Sequence, residues 1–196
     1  MNNPTIRAER ATVEFFDGLT IDGYRMPNGE FRVGLAGASR TLGYEREWLS
    51  DVVSMNSPRT VKALQGLGFT EKTKKVSAQS KQGNPYKDRT ISLDDFNCCI
   101  IYAVQNKKKA AIALNKAFAK LALIDFFRDA FGEIPLTIQE KRRLFYEEYA
   151  KAISPGGWMA MDREDVLHLA LSGDEEQIAH GMWNESFLDA QDDEDY

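Results

Sequence analysis

Cysteine is nearly missing from this chain: 196 residues hold two, and they are neighbours, Cys98 and Cys99. Adjacent residues in an apolar helical run cannot reach ordinary disulfide geometry with each other, so a disulfide framework is excluded. Histidine is equally scarce. His168 and His180 fall on separate predicted helices without a cysteine, histidine or glutamate at ligand spacing, which argues against a zinc centre. Long apolar runs are also missing. No stretch approaches the roughly 20 residues of a membrane helix, and residues 1–10 lack a signal peptide's apolar centre, so a cytoplasmic protein with free thiols and no membrane partner is expected. There is no Gly-x-x-x-x-Gly-Lys phosphate loop, no Gly-x-Ser-x-Gly elbow and no dinucleotide fingerprint, so neither a catalytic set nor a cofactor is expected.

What is present is an ordinary folding composition, 43% hydrophobic and 28% charged, with a net charge of −5. That average hides a division. Residues 1–132 carry 20 Lys and Arg against 14 Asp and Glu, and residues 133–196 carry 5 against 16, so the two parts stand at +6 and −11. A basic working surface with an acidic appendage is the organisation this predicts, the appendage tempering non-specific binding or recruiting a basic partner.

The most informative stretch is 21–44. Two alternating runs, 21–26 and 31–35, flank Pro27-Asn28-Gly29, and Asn-Gly marks a hairpin because both residues tolerate positive φ. A short helix over 36–42 follows, closed by Gly43. A strand over 11–16, turned back at Asp17-Gly18, makes a three-stranded sheet with this hairpin. Residues 1–10 show no periodicity and read as a loose arm.

Phe31 and Val33 before the helix, Leu42-Gly43-Tyr44 at its end, and the later run Ile91-Ser92-Leu93-Asp94-Asp95-Phe96 together resemble the Bro-N and KilA-N type domains of phage and large-virus antirepressors. The resemblance covers about residues 20–132. Gly37-Ala38-Ser39 stands where that family usually has Asp-Val before the Leu-Gly-Tyr, and the family's Trp and Pro in the last helix are missing here. The resemblance implies an α+β DNA-binding domain, a role in transcription regulation, and a phage or prophage source.

Further along, apolar spacing predicts helices over 45–55 and 57–67. The second is the candidate recognition element, with Ser57 as N-cap and Arg59 and Lys62 near its start. Residues 70–89 hold Lys72, Lys74, Lys75, Lys81, Lys87 and Arg89 against only Glu71 and Asp88. This reads as a loop or exposed hairpin whose cations reach phosphates while Gln79, Gln82 and Asn84 read bases. Arg32, Arg40 and Arg46 complete the expected set of DNA contacts.

Ser92 and Asp95 form a capping-box pattern opening a helix that Asn106 ends. The longest predicted helix, 108–131, is apolar on more than one face, so either a core position or a homodimer interface is expected of it or its helical neighbours. Thr137 caps a helix through Ala152. Ser154-Pro155-Gly156-Gly157 breaks the chain, two more helices follow through Leu188, and 189–196 is too acidic to fold alone. The expected division is therefore a DNA-binding domain over 1–132, a helical appendage over 133–188 and a disordered acidic tail over 189–196.

Two other functions fit the same residues. One is a protein-interaction module that captures a repressor or host factor, its acidic C-terminal part imitating DNA. The other is a metal-dependent nuclease using Asp17, Asp22 and Glu30.

Overall fold

The computed structural model describes residues 5–79 and 85–154. Its strands are β1 (Thr5–Arg7), β2 (Glu9–Phe16), β3 (Leu19–Arg25), β4 (Phe31–Gly34), β5 (Lys74–Gln79) and β6 (Pro85–Ser92). Its helices are α1 (Leu35–Thr41), α2 (Trp48–Val53), α3 (Pro58–Gly66), α4 (Leu93–Gln105), α5 (Lys109–Ala130) and α6 (Ile138–Ile153). The fold is α+β with an N-terminal sheet, as expected. The chain divides into two units, Met1–Ser154 and Pro155–Tyr196. The second, with both histidines, the helices expected after residue 157 and the acidic tail, lies outside the described residues.

The central hairpin forms, with a different turn chemistry. Met26 N–H donates to Glu30 O at 2.8 Å and Gly29 N–H to Met26 O at 2.9 Å, so Pro27, Asn28 and Gly29 make a three-residue loop. Only Gly29 takes positive φ, at +85°. Asn28 instead uses its side-chain oxygen to accept from Glu30 N–H at 3.2 Å. The helix that follows ends in a Schellman motif: Tyr44 N–H reaches Ser39 O and Gly43 N–H reaches Arg40 O, both at 3.0 Å, with Gly43 at φ +80°. Leu42 is fully buried and Tyr44 stacks on Trp48, ring centroids 3.9 Å apart. The Leu-Gly-Tyr thus fastens α1 to α2.

The sheet has six strands, not three, in the order β1-β5-β6-β4-β3-β2. The basic stretch supplies β5 and β6, an antiparallel pair whose second strand joins β4. The expected loose arm is also ordered where it is described: Thr5, Ile6 and Arg7 pair in parallel with Lys75, Val76 and Ser77. Since β1 and β2 are one run of chain interrupted only at Ala8, consecutive residues hold the two outermost positions, and the sheet curls round on itself.

Curling gives two cores. Alternation sends Tyr24, Val76 and Ala78 to the inside, where they meet Ala8 and Met26. It sends Ile21, Val33 and Ile91 to the outside, where they pack with Leu42, Leu49, Leu64, Phe96, Cys99 and Leu114 from the helices. Both cysteines are buried free thiols in α4, and burial pushes both thiol pKa values up.

Caps explain the helix starts. Ser92 Oγ accepts from Asp95 N–H at 3.0 Å, but the Asp95 carboxylate does not return to Ser92. It accepts instead from Thr70 N–H at 2.7 Å and Thr70 Oγ1 at 3.0 Å, tying the segment after α3 to α4. Ser57 is the N-cap residue of α3 without a side-chain capping bond, the entry being set by Pro58. Thr137 forms a complete capping box with Glu140.

The boundary expected after Gly132 falls inside the first unit. α6 returns along α5 and sets Phe145 against Phe15 of β2, rings stacked with centroids 5.4 Å apart. Arg142 of α6 also pairs with Glu14 of β2 at 3.0 Å.

Candidate nucleic-acid interface

Cross-strand register decides which cations meet. Lys75 lies opposite Arg89, and Lys87 opposite Ser77. Directly opposed residues share a face, so Lys75, Lys87 and Arg89 all project from the outside of the curled sheet, the side on which the helices pack. Between the β5–β6 pair and α2 opens a cleft of about 400 Å³, lined by Lys75, Lys87 and Arg89 from the strands, by Arg46 and Glu47 from the segment leading into α2 and by Ser50 of α2. Thr5 of β1 and Leu35 and Ala36 of α1 complete its wall.

Four of the expected contacts, Arg46, Lys75, Lys87 and Arg89, are thus brought to one place from segments some thirty to forty residues apart. None of them forms an ion pair with a described residue. Two acids line the cleft. Glu47 is exposed, whereas Asp88, opposite Val76 in the register, turns its carboxylate to the inside of the curled sheet, accepting from Tyr24 Oη at 2.9 Å and from Arg89 N–H at 2.7 Å. Burial holds the Asp88 carboxyl above the ordinary range although both hydrogen bonds favour its charge. Like-charged groups crowd the cleft with few counter-charges, an arrangement suited to phosphate oxygens.

Comparison with family models, with curated proteins and with solved structures finds no match to this chain.

The remaining cations are dispersed. Arg40, Arg59, Lys62 and Lys72 are exposed, on α1, α3 and the segment before β5, and lie outside the lining of the cleft. Lys74, one residue from Lys75, projects to the other face and bonds Glu30 at 2.6 Å. Lys81, Gln82 and Asn84 lie outside the described residues, as does the side chain of Gln79.

Arg32 is a correction. Its side chain is 3% exposed and its donors are spent internally, on Glu30, on Lys72 O at 2.8 Å and on Thr90. It holds the sheet together and presents no charge to a ligand. The same geometry bears on the acids considered for metal binding. Asp22 is paired with Arg10 at 2.8 Å and Glu30 with Arg32 and Lys74, so each of these carboxylates already has a cation. No group of three His, Cys, Asp or Glu among the described residues could hold a metal ion.

Sequence reasoning missed the cleft itself. Thr5 carries no local signal, because its place in the wall depends on strand β1 pairing with a partner seventy residues away, and Ser50 reaches the wall only through the packing of α2.

Proposed function

We propose that this chain is a DNA-binding regulator of the phage or prophage antirepressor type, with the basic cleft as its phosphate-binding surface. The observation that carries the reading is the convergence of Arg46, Lys75, Lys87 and Arg89 on one cleft without ion pairs to any described residue. The Bro-N and KilA-N resemblance adds to it, since the Leu42-Gly43-Tyr44 turn fixes α1 and α2 beside that cleft. Lys72, Arg40, Arg59 and Lys62, exposed outside the cleft, would be separate phosphate contacts. Lys81 belongs to the same basic stretch of sequence.

A gel-shift series in rising salt tests the reading. Four phosphates neutralised at the cleft give a slope of log affinity against log salt of about −3 to −4. No retardation of duplex DNA at low salt rejects it.

One observation favours a second reading, capture of a protein partner. A groove of about 660 Å³ runs between the sheet and helices α4 and α5, its lining including Val13, Phe31, Leu93, Phe96, Ile100 and Phe118. Phe31 is 58% exposed and Leu93 48%, which fits an amphipathic helix laid into an apolar groove. Phe31→Glu separates the two readings: it leaves the salt-dependent DNA retardation intact and removes partner capture.

No helix among the described residues is long and apolar enough to cross a membrane.

A further inference from the structure

The two halves of α5 have different surroundings. In the first, Ala111, Leu114 and Ala117 are buried in the helix-side core, and Ala113 is buried as well. Beyond residue 120, the side facing α6 carries Leu121, Ile124, Asp125 and Arg128, all partly covered. The opposite side carries Leu123, Phe126, Phe127 and Phe131. Leu123, Phe127 and Phe131 recur at four-residue steps, and Phe126 lies beside them, so they form one outward stripe. One turn earlier the same side is Lys116 and Lys120, so the apolar surface has a sharp edge.

No described residue covers this stripe. Phe126 is 74% exposed, Phe127 65%, Phe131 78% and Leu123 57%, and Ile134 in the connecting turn reaches 82%. With Ile138 at the first turn of α6, these side chains present on the order of 700 Å² if a whole phenylalanine offers about 200 Å². The largest apolar patch on a typical monomer is about 300–600 Å². A standard stable interface takes about 800 Å² from each partner.

We propose that the outward stripe of the C-terminal half of α5 is the surface through which two copies of this chain associate. The patch matches in size what one subunit contributes to a stable dimer. Its electrostatics suit a copy of itself. Asp125 is already paired with Lys141 at 2.7 Å and Arg128 with Glu133 at 2.9 Å, which leaves Lys116 and Lys120 at one end of the stripe and Asp129 beside Phe126 toward the other, opposite signs that an antiparallel copy brings together. A two-fold axis beside Phe126 and Phe127 crosses the stripes antiparallel, which keeps Lys116 and Lys120 of the two copies at opposite ends. Such a contact is isologous and closes at two copies. It goes beyond the DNA-binding reading and does not depend on it.

Sedimentation equilibrium of the full chain at tens of micromolar tests the proposal. The expected mass is twice the 22.2 kDa of one chain. The doubly substituted Phe127→Glu, Phe131→Glu protein should sediment as one chain, with an unchanged circular dichroism spectrum because neither side chain supports the core. Mixing a Phe127→Glu chain with a Phe127→Lys chain should restore the dimer, which requires that residue 127 meet its own counterpart. A monomeric wild type overturns the proposal. So does a doubly substituted protein that stays dimeric, or a wild type that grows into open-ended assemblies.

Discussion

Arg32 and Thr90 lie on neighbouring strands inside the curled sheet, and Arg32 donates to both oxygens of Thr90. Its Nε reaches Thr90 Oγ1 and its Nη2 reaches Thr90 O, each at 3.0 Å, with both side chains almost free of solvent contact. Thr90 Oγ1 in turn donates to Lys74 O at 3.1 Å. One guanidinium therefore links β4 and β6 to the backbone leading into β5. Replacing it leaves Glu30 without its buried partner and two carbonyls short of a donor, so Arg32→Ala should lose about 3–5 kcal/mol of stability. Arg32→Lys should fail to rescue, because a point charge cannot reproduce the planar fork. Urea unfolding of the two variants measures this. A loss under 1 kcal/mol for Arg32→Ala would show that the residue is dispensable to the sheet.

The cleft makes a sharper demand on DNA binding than the basic stretch as a whole. Lys75, Lys87 and Arg89 face it, whereas neighbouring Lys74 faces inward onto Glu30. Replacing the first three by Ala should flatten the slope of log affinity against log salt by roughly two to three units, at about 0.9 per phosphate. Lys74→Ala should leave the slope alone. Equal effects from the two sets would place the binding surface elsewhere.

Which parts were legible in the sequence follows from the distance over which their causes act. The hairpin at Pro27-Asn28-Gly29, the Gly43 stop of α1 and the Thr137 cap are local and were readable within a few residues. The pairing of β1 with β5 was not, because three residues carry no period and their partner is distant. Arg32 misled for a related reason. In a one-sided sheet, Phe31 and Val33 would both point to the core and Arg32 to water, yet Phe31 is 58% exposed and Arg32 3%. The curl of the sheet creates a second interior that single-strand alternation cannot announce. The basic stretch, read as a loop or exposed hairpin, instead supplies two inner strands of the sheet, and only the Lys75 to Arg89 register divides its charges between two faces.

Glu30 joins Arg32 to Lys74 across that interior. Burial disfavours its charge, but the hydrogen bonds from Lys74 and Arg32 outweigh burial and hold its pKa below the ordinary 4.5. A carboxyl depressed in the folded state contributes stability above its unfolded pKa and loses it as pH falls through the folded value. Glu30→Gln should therefore be less stable than wild type at pH 7 by about 1 kcal/mol, a modest figure for a side chain still 29% exposed. The gap should close as the pH is taken well below 4.5. Thermal unfolding across that range decides it, and a gap that persists undiminished in acid would mean that the carboxylate charge contributes nothing.

Asp88 has the opposite sign. Burial raises its pKa above the ordinary 3.8, and the Tyr24 phenol, itself pushed up by burial and by Asp88, stays protonated and donates to it. A carboxyl raised in the folded state stabilises the fold below its unfolded pKa, and that contribution is lost as pH rises through the folded value. At neutral pH the charge on Asp88 is therefore a burden. Asp88→Asn keeps an oxygen for Arg89 N–H and an amide donor for the Tyr24 hydroxyl oxygen, so it removes the charge with little loss of bonding. Its melting temperature should exceed that of wild type at pH 7, and the advantage should shrink as pH falls toward 3.8. The same substitution removes a negative charge from behind the cleft, on the opposite face of β6 from Lys87 and Arg89. DNA should then bind about twofold more tightly at low salt, the equivalent of ~0.4 kcal/mol for one charge about 10 Å from a phosphate at high dielectric, with the gain fading as salt rises. A variant that is stabilised but binds DNA with unchanged affinity would remove the cleft from the binding surface while leaving the account of Asp88 in the fold intact.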